Sequence, residues 1–126
     1  MTSENLEGKA APPVRRAEAA SDQALLLNLF IAARAQHFAP LNLPAPVLDM
    51  LMRQQFLAQS ASYAAQYPGA CREIIEVDGA PIGRMISNRT NGQMRLVDIA
   101  LAPAWRSKGL GSILITALMD EARATG

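Results

Sequence analysis

The chain has 126 residues, half of them hydrophobic and 18% charged, which is one domain's worth of an ordinary globular composition. Twelve basic residues against eleven acidic ones leave a formal net charge of +1, so the totals give no reason to expect nucleic acid or a membrane as partner. The single Cys71 and the single His37 exclude an internal disulfide and a multi-histidine metal site, and no Cys/His cluster has ligand spacing.

Residues 1–12, "MTSENLEGKAAP", are polar and aperiodic and are expected to form a flexible tail ahead of one domain over residues 13–126. They lack a hydrophobic signal core, and no apolar run in the chain reaches membrane-spanning length, so a reducing cytoplasm is the expected compartment. "PVRRAEA" has the pattern of a short, weak first strand. In "SDQALLLNLFIAARA", Ser21 or Asp22 can cap a helix on which Leu25, Leu29 and Ala32 share a face. A proline-rich connection, "HFAPLNLPAP", leads to a second helix that starts near Pro46 and runs to about Gln66. Its stripe is Met52, Phe56, Tyr63 and Tyr67.

Strands follow. "CREIIEVDGAPIGRMISN" is two extended runs around Asp78-Gly79, a strong hairpin signal, and "NGQ" at 91–93 makes the next turn. In the third run, "MRLVDIAL", simple alternation sets Leu96, Asp98 and Ala100 on one face and Val97, Ile99 and Leu101 on the other. The last helix carries Leu110, Ile113, Leu114, Ala117 and Leu118 at core spacing, with Asp120, Glu121 and Arg123 toward water. Gly126 is a natural helix stop. The order is β-α-α-β-β-β-α, an α/β (α+β) chain with a mixed, mostly antiparallel sheet flanked by helices.

The stretch "RSKGLGS" at 106–112 opens that last helix with two glycines. The first turn of a helix has N–H groups without intrahelical partners and a partial positive charge, and residues without a β-carbon let an anion approach them. Arg106 and Lys108 add two cations. The same glycines could serve only a tight strand-to-helix turn. A P-loop requires Lys-Ser or Lys-Thr after its last glycine, and here Ser112 and Ile113 follow Gly111. The dinucleotide fingerprint requires a small residue where Leu114 stands.

"VDIALAPAWRSKGLGSILITALMDEA" resembles the cofactor motif of the GNAT superfamily of acyl-coenzyme A-dependent N-acyltransferases: a strand, a short turn, then Gln or Arg-x-x-Gly-x-Gly or Ala opening a helix. Here the signature reads Arg106-Ser107-Lys108-Gly109-Leu110-Gly111. The resemblance covers residues 13–126 in element order, with its sharp part at 97–122. It implies an N-acetyltransferase that moves an acetyl group from acetyl-CoA, as co-substrate and without metal, to a primary amine by direct attack. The backbone of Ser107, Lys108, Gly109, Leu110, Gly111 and Ser112 would bind the pyrophosphate, with Arg106 shaping the turn. Ile99 and Leu101 would offer main-chain groups to the pantetheine arm, which lies alongside like an added strand. One of those N–H groups could polarise the thioester carbonyl.

An amine with a pKa of about 10.4 is free base in roughly one molecule per thousand near neutrality, so a general base is useful. Some family members place an acidic residue on this strand, which makes Asp98 the candidate base. The structural alternative is an ion pair between Asp98 and Arg84 or Arg95. Trp105 reads as a hydrophobic lid over the turn, His37 as a surface residue and Cys71 as filler at the start of a strand. Tyr63 or Tyr67 could reach an acceptor pocket, because in the family the first two helices help to form it.

Full-length members continue past this helix with a β-α-β-β part, and the added helix commonly carries a tyrosine that protonates the leaving thiolate. The chain therefore has the look of a domain shortened at its C-terminus, with no obvious substitute for that tyrosine. Its partner would be a small-molecule or peptide amine, not nucleic acid or membrane. An unpaired sheet edge predicts self-association into a homo-oligomer. The alternative function is a non-catalytic CoA-binding or protein-interaction module.

Overall fold

The computed structural model describes residues 12–124, so both the tail at residues 1–11 and the helix stop at Gly126 lie outside the described residues. Strand β1 (Val14–Ala17) leads through a short 3-10 turn into helix α1 (Gln23–Phe38), and helix α2 (Ala45–Gln66) follows. Strands β2 (Cys71–Val77), β3 (Ala80–Thr90) and β4 (Gln93–Leu101) then run in succession, and helix α3 (Leu110–Ala124) closes the described chain. The four strands lie in the order β1-β2-β3-β4, and each adjacent pair is antiparallel.

Local chemistry fixes the sheet's connections. Asp78 and Gly79 have φ of 52° and 78°, and Asn91 and Gly92 have 52° and 77°. Paired left-handed residues give the two-residue turn whose twist matches antiparallel strands, and Asp-Gly and Asn-Gly are the dipeptides that adopt it most readily.

One helix covers one face of the sheet and two cover the other. On the first face, Leu110, Leu114 and Leu118 of α3 pack on Ile75, Val77, Ile82 and Met85. On the second, Leu26, Leu29 and Phe30 of α1 and Met52 and Phe56 of α2 pack with Ile74. Each such burial stabilises by roughly 1.5–3 kcal/mol. The inward face of α1 therefore differs from the expected Leu25, Leu29 and Ala32. The Phe30 ring meets the Phe56 ring edge-on at 5.6 Å, and that large aromatic contact turns the helix to bury Phe30 in place of Ala32.

Other expectations also change. Residues 20–41 are long and apolar enough to span a bilayer, with mean hydropathy 1.2, contrary to the sequence reading. In this fold Leu26, Leu29 and Phe30 from that segment pack into the core. Ile113 is half exposed, lying on the flank of α3 away from the sheet. Glu121 does not simply face water but pairs with Arg15 of β1, tying α3 to the sheet's far edge.

Alternation in β4 breaks at a bulge. Ile86 of β3 pairs with Asp98 while Ser87 pairs with Leu96, so Val97 is an extra residue with no partner. The inserted residue reverses the faces upstream of it. Met94 and Leu96 consequently join Ile99 and Leu101 against the α3 core, while Asp98 keeps the opposite face. Without the bulge, Leu96 would share the face of Asp98.

Asp22 does not cap α1. Its carboxylate turns back to accept two bonds from the Arg16 guanidinium, at 2.8 and 2.9 Å, and one from the Ala19 N–H at 2.7 Å. Arg16 also donates to Glu76 at 2.7 Å. The Arg16 bonds first, and the Ala19 bond second, hold the Asp22 carboxyl at about 2, well below its ordinary 3.8. A depressed carboxyl stabilises the fold above its unfolded value and loses that contribution as pH falls through the folded one. Thermal melts should therefore show a decline between pH 4 and pH 2 that is shallower in Asp22→Asn. Equal declines in both proteins would remove this network from the account of acid stability.

Candidate active site

The site is built around the outer edge of β4. Gly83 of β3 pairs with Leu101, and a β-carbon at Gly83 would stand 2.5 Å from the Ala100 carbonyl oxygen. The Ala102 N–H donates to the Ile82 carbonyl at 2.8 Å. Ala100 and Ala102 thus direct their main-chain groups at β3. Alternation along an antiparallel strand then turns those of Ile99 and Leu101 to the opposite edge. No strand pairs with that edge among the described residues. There the Leu101 carbonyl accepts a bond from Arg106 Nε at 3.1 Å, which braces the following turn against the strand.

That turn delivers a helix end to the same place. After a 3-10 turn at Pro103–Trp105 the backbone passes through Ser107 at φ 63° and Gly109 at φ 79°. The Gly109 carbonyl then accepts from the Ile113 N–H at 3.1 Å, the bond that begins α3. The N–H groups of Leu110, Gly111 and Ser112 precede any intrahelical acceptor and have none within the helix. A β-carbon on Gly111 would meet nothing within 4 Å, so the space beside these donors is open. Ser107 and Lys108 are exposed on the turn, whereas the Leu110 side chain is buried in the α3 core and leaves only its backbone to the site.

A cleft of about 380 Å³ runs from this turn along β4 and under α1. Gly111, Arg106, Leu101 and Ile99 line it, together with Asp98, Arg84, Arg34 and Gln59. Asp98 accepts a bond from Arg84 at 3.0 Å, so of its two possible partners Arg84 is the one it pairs with. The Arg84 side chain is 8% exposed and that of Asp98 27%, which leaves the carboxylate facing the cleft while its cation lies beneath. Arg34 lies with its guanidinium carbon 3.7 Å from the centre of the Phe30 ring. Burial raises the Tyr63 phenol above its ordinary value, and the Asp98 carboxylate adds to the effect, so this hydroxyl stays protonated near neutrality.

Of the residues singled out in the sequence, Asp98, Ile99, Leu101, Arg106 and Gly111 come together on one cleft wall. Ser107, Lys108, Gly109, Leu110 and Ser112 form the turn beside it. Trp105 packs on the α3 core, while His37 is exposed on α1 and stacks edge-on with Phe38. Cys71 is exposed at the start of β2, and the Tyr67 hydroxyl accepts a bond from the amide of its neighbour Gln66. Arg34 and Gln59 were missed. A signal for Arg34 existed: it is the one Arg, Lys, Asp or Glu within the apolar helix Gln23–Phe38.

The family model of the Acetyltransferase (GNAT) family matches residues 34–126, and the chain belongs to that family. Among solved structures it is similar to the PaiA N-acetyltransferase of Thermoplasma acidophilum in complex with coenzyme A, with a TM-score of 0.60 and 14% identity. That match covers 90% of this chain and 74% of the other. A GCN5-related N-acetyltransferase from Rhodopseudomonas palustris gives a TM-score of 0.60 at 21% identity, over 94% of this chain and 70% of that one. A GNAT family acetyltransferase from Brucella melitensis in complex with acetyl-CoA gives 0.55 at 21%, over 90% and 70%. No curated protein matches the sequence.

Proposed function

We propose that the protein transfers the acetyl group of acetyl-CoA to a primary amine in this cleft. One observation carries the reading: the free edge of β4, the open N–H groups at Gly111 and the Asp98 carboxylate lie along a single cleft. Membership of the family, and the coenzyme A or acetyl-CoA bound to two of the similar structures, support it. The residues present fit the co-substrate, since the space that a β-carbon would occupy at Gly111 is empty.

The co-substrate supplies an activated thioester. The turn at 107–112 receives its diphosphate on backbone N–H groups at the positive end of α3. Ile99 and Leu101 pair through their outward main-chain groups with its extended amide arm. Asp98, oriented by Arg84, would take the proton that the acceptor must lose before its nitrogen attacks the thioester carbonyl, directly or through one water; the C–S bond then breaks and coenzyme A leaves as a thiolate that is protonated from solvent.

Acetyl-CoA and desulfo-CoA should each raise the melting temperature, because a ligand at a hundred times its Kd stabilises the native state by about 2.7 kcal/mol. Thiol release against a panel of amines then reports turnover. Asp98→Asn should lower that release by roughly a hundredfold or more while keeping the thermal shift. The absence of a shift at millimolar ligand would overturn the reading. Binding without thiol release for any amine would instead mark a coenzyme A-binding module.

A further inference from the structure

Arg34, Arg84 and Asp98 line the same cleft, two cations with one carboxylate. Arg84 is committed: it is buried, it donates to Asp98, and its Nε is sealed from solvent with no partner among the described residues. Arg34 is not committed. Among the described residues no carboxylate pairs with it, and it donates to the Phe30 carbonyl in a long 3.5 Å contact. Apolar side chains border it on its own helix, with Leu26, Leu29, Phe30 and Ala33 lining the same cleft. Arg34 is half-buried, so it is reachable from the cleft, and a ligand anion would give its charge the partner that the protein does not.

We infer that the acceptor is an amine that also carries a carboxylate, and that Arg34 binds that carboxylate. The inference rests on the acetyl-transfer reading and names its substrate class. The Arg34 guanidinium carbon lies over the Phe30 ring, 3.7 Å from its centre, which helps to hold the group in the cleft. A guanidinium edge matches a carboxylate through two parallel N–H···O bonds. One uncommitted guanidinium balances one negative charge, which favours a carboxylate over a dianionic phosphate. The opposite pole of the ligand is also provided for. Asp98 attracts the ammonium before it becomes the reacting amine, and Gln59 of α2 supplies an amide to the same wall. The acceptor is therefore dipolar, as in an amino acid or a peptide whose amine and carboxylate lie close together.

The test reads binding as well as turnover. The protein is saturated with desulfo-CoA, and matched pairs are titrated by calorimetry: amino acids, the amines that remain when their carboxylate is removed, and O-phosphoethanolamine. The carboxylate members should bind at least tenfold more tightly than the matched amines, a difference of about 1.4 kcal/mol. Arg34→Gln, checked for folding by its melting curve, should abolish that difference, and Arg34→Lys should restore part of it. If acetyl-CoA is also turned over, the same variants should raise KM for the carboxylate acceptor by a larger factor than for the matched simple amine. Equal binding of the pairs, persistence of the preference in Arg34→Gln, or tighter binding of the phosphate compound would each overturn the inference while leaving acetyl transfer intact. Failure of desulfo-CoA and acetyl-CoA to bind would overturn acetyl transfer itself and this inference with it.

Discussion

Gly111→Val is expected to weaken acetyl-CoA binding by well over tenfold, a loss exceeding about 1.4 kcal/mol, while the protein stays folded. The position separates ligand from fold because nothing in the protein lies within 4 Å of the β-carbon it lacks. The added side chain would enter the open space beside the first N–H groups of α3, where the diphosphate must come close to bond them. Valine is a better helix former than glycine, so the exchange carries no propensity cost in the first helical turn. Gly109→Val is a poorer probe, since φ there is 79° and any side chain strains the turn that positions α3. Isothermal titration of both variants beside their melting curves decides the matter. A folded Gly111→Val protein with unchanged affinity would show that the glycine serves the turn alone.

Gly83→Val should be the most destabilising change in the sheet, by about 3 kcal/mol or more. Its first added atom would lie 2.5 Å from the Ala100 carbonyl oxygen, 2.8 Å from Leu101 Cδ2 and 3.4 Å from Leu101 Cα. Backbone atoms of a neighbouring strand cannot swing aside as a side chain does, so β4 would have to part from β3. The same shift would misdirect Ile99 and Leu101, so any protein that folds should also bind acetyl-CoA poorly. For a domain of about this size the drop in Tm should exceed roughly 10 °C. Gly69→Val is the matched control: nothing lies within 4 Å of that site, and its change should stay near 0.5 kcal/mol. Similar melting temperatures for the two variants would mean that β3 and β4 tolerate separation.

Local chemistry made much of this protein legible without coordinates. The Asp78-Gly79 and Asn91-Gly92 turns define their own hairpins, because left-handed φ is accessible to few residues. Leu110, Leu114 and Leu118 mark the buried face of α3 by spacing alone. The signature at 106–111 located the turn, since a glycine-opened helix after a strand depends only on contiguous residues. Faces were harder. The sequence reading set Leu96 with Asp98, and the Val97 bulge reverses that; a bulge arises from how β3 and β4 fit together, and no residue in "MRLVDIAL" announces it.

The element order, the turns and the glycine-opened helix follow from interactions within a few residues and can be read from the amino acids alone. Tertiary structure decided the rest of the site. Strand register set Arg84 and Asp98 as partners when Arg95 was equally available on paper. The edge-on contact of Phe30 with Phe56 set the rotation of α1. Arg34, Gln59 and Asp98 reach one cleft from α1, α2 and β4 only after those choices are made. Their meeting depends on packing between elements distant in the chain, and no local spacing encodes it.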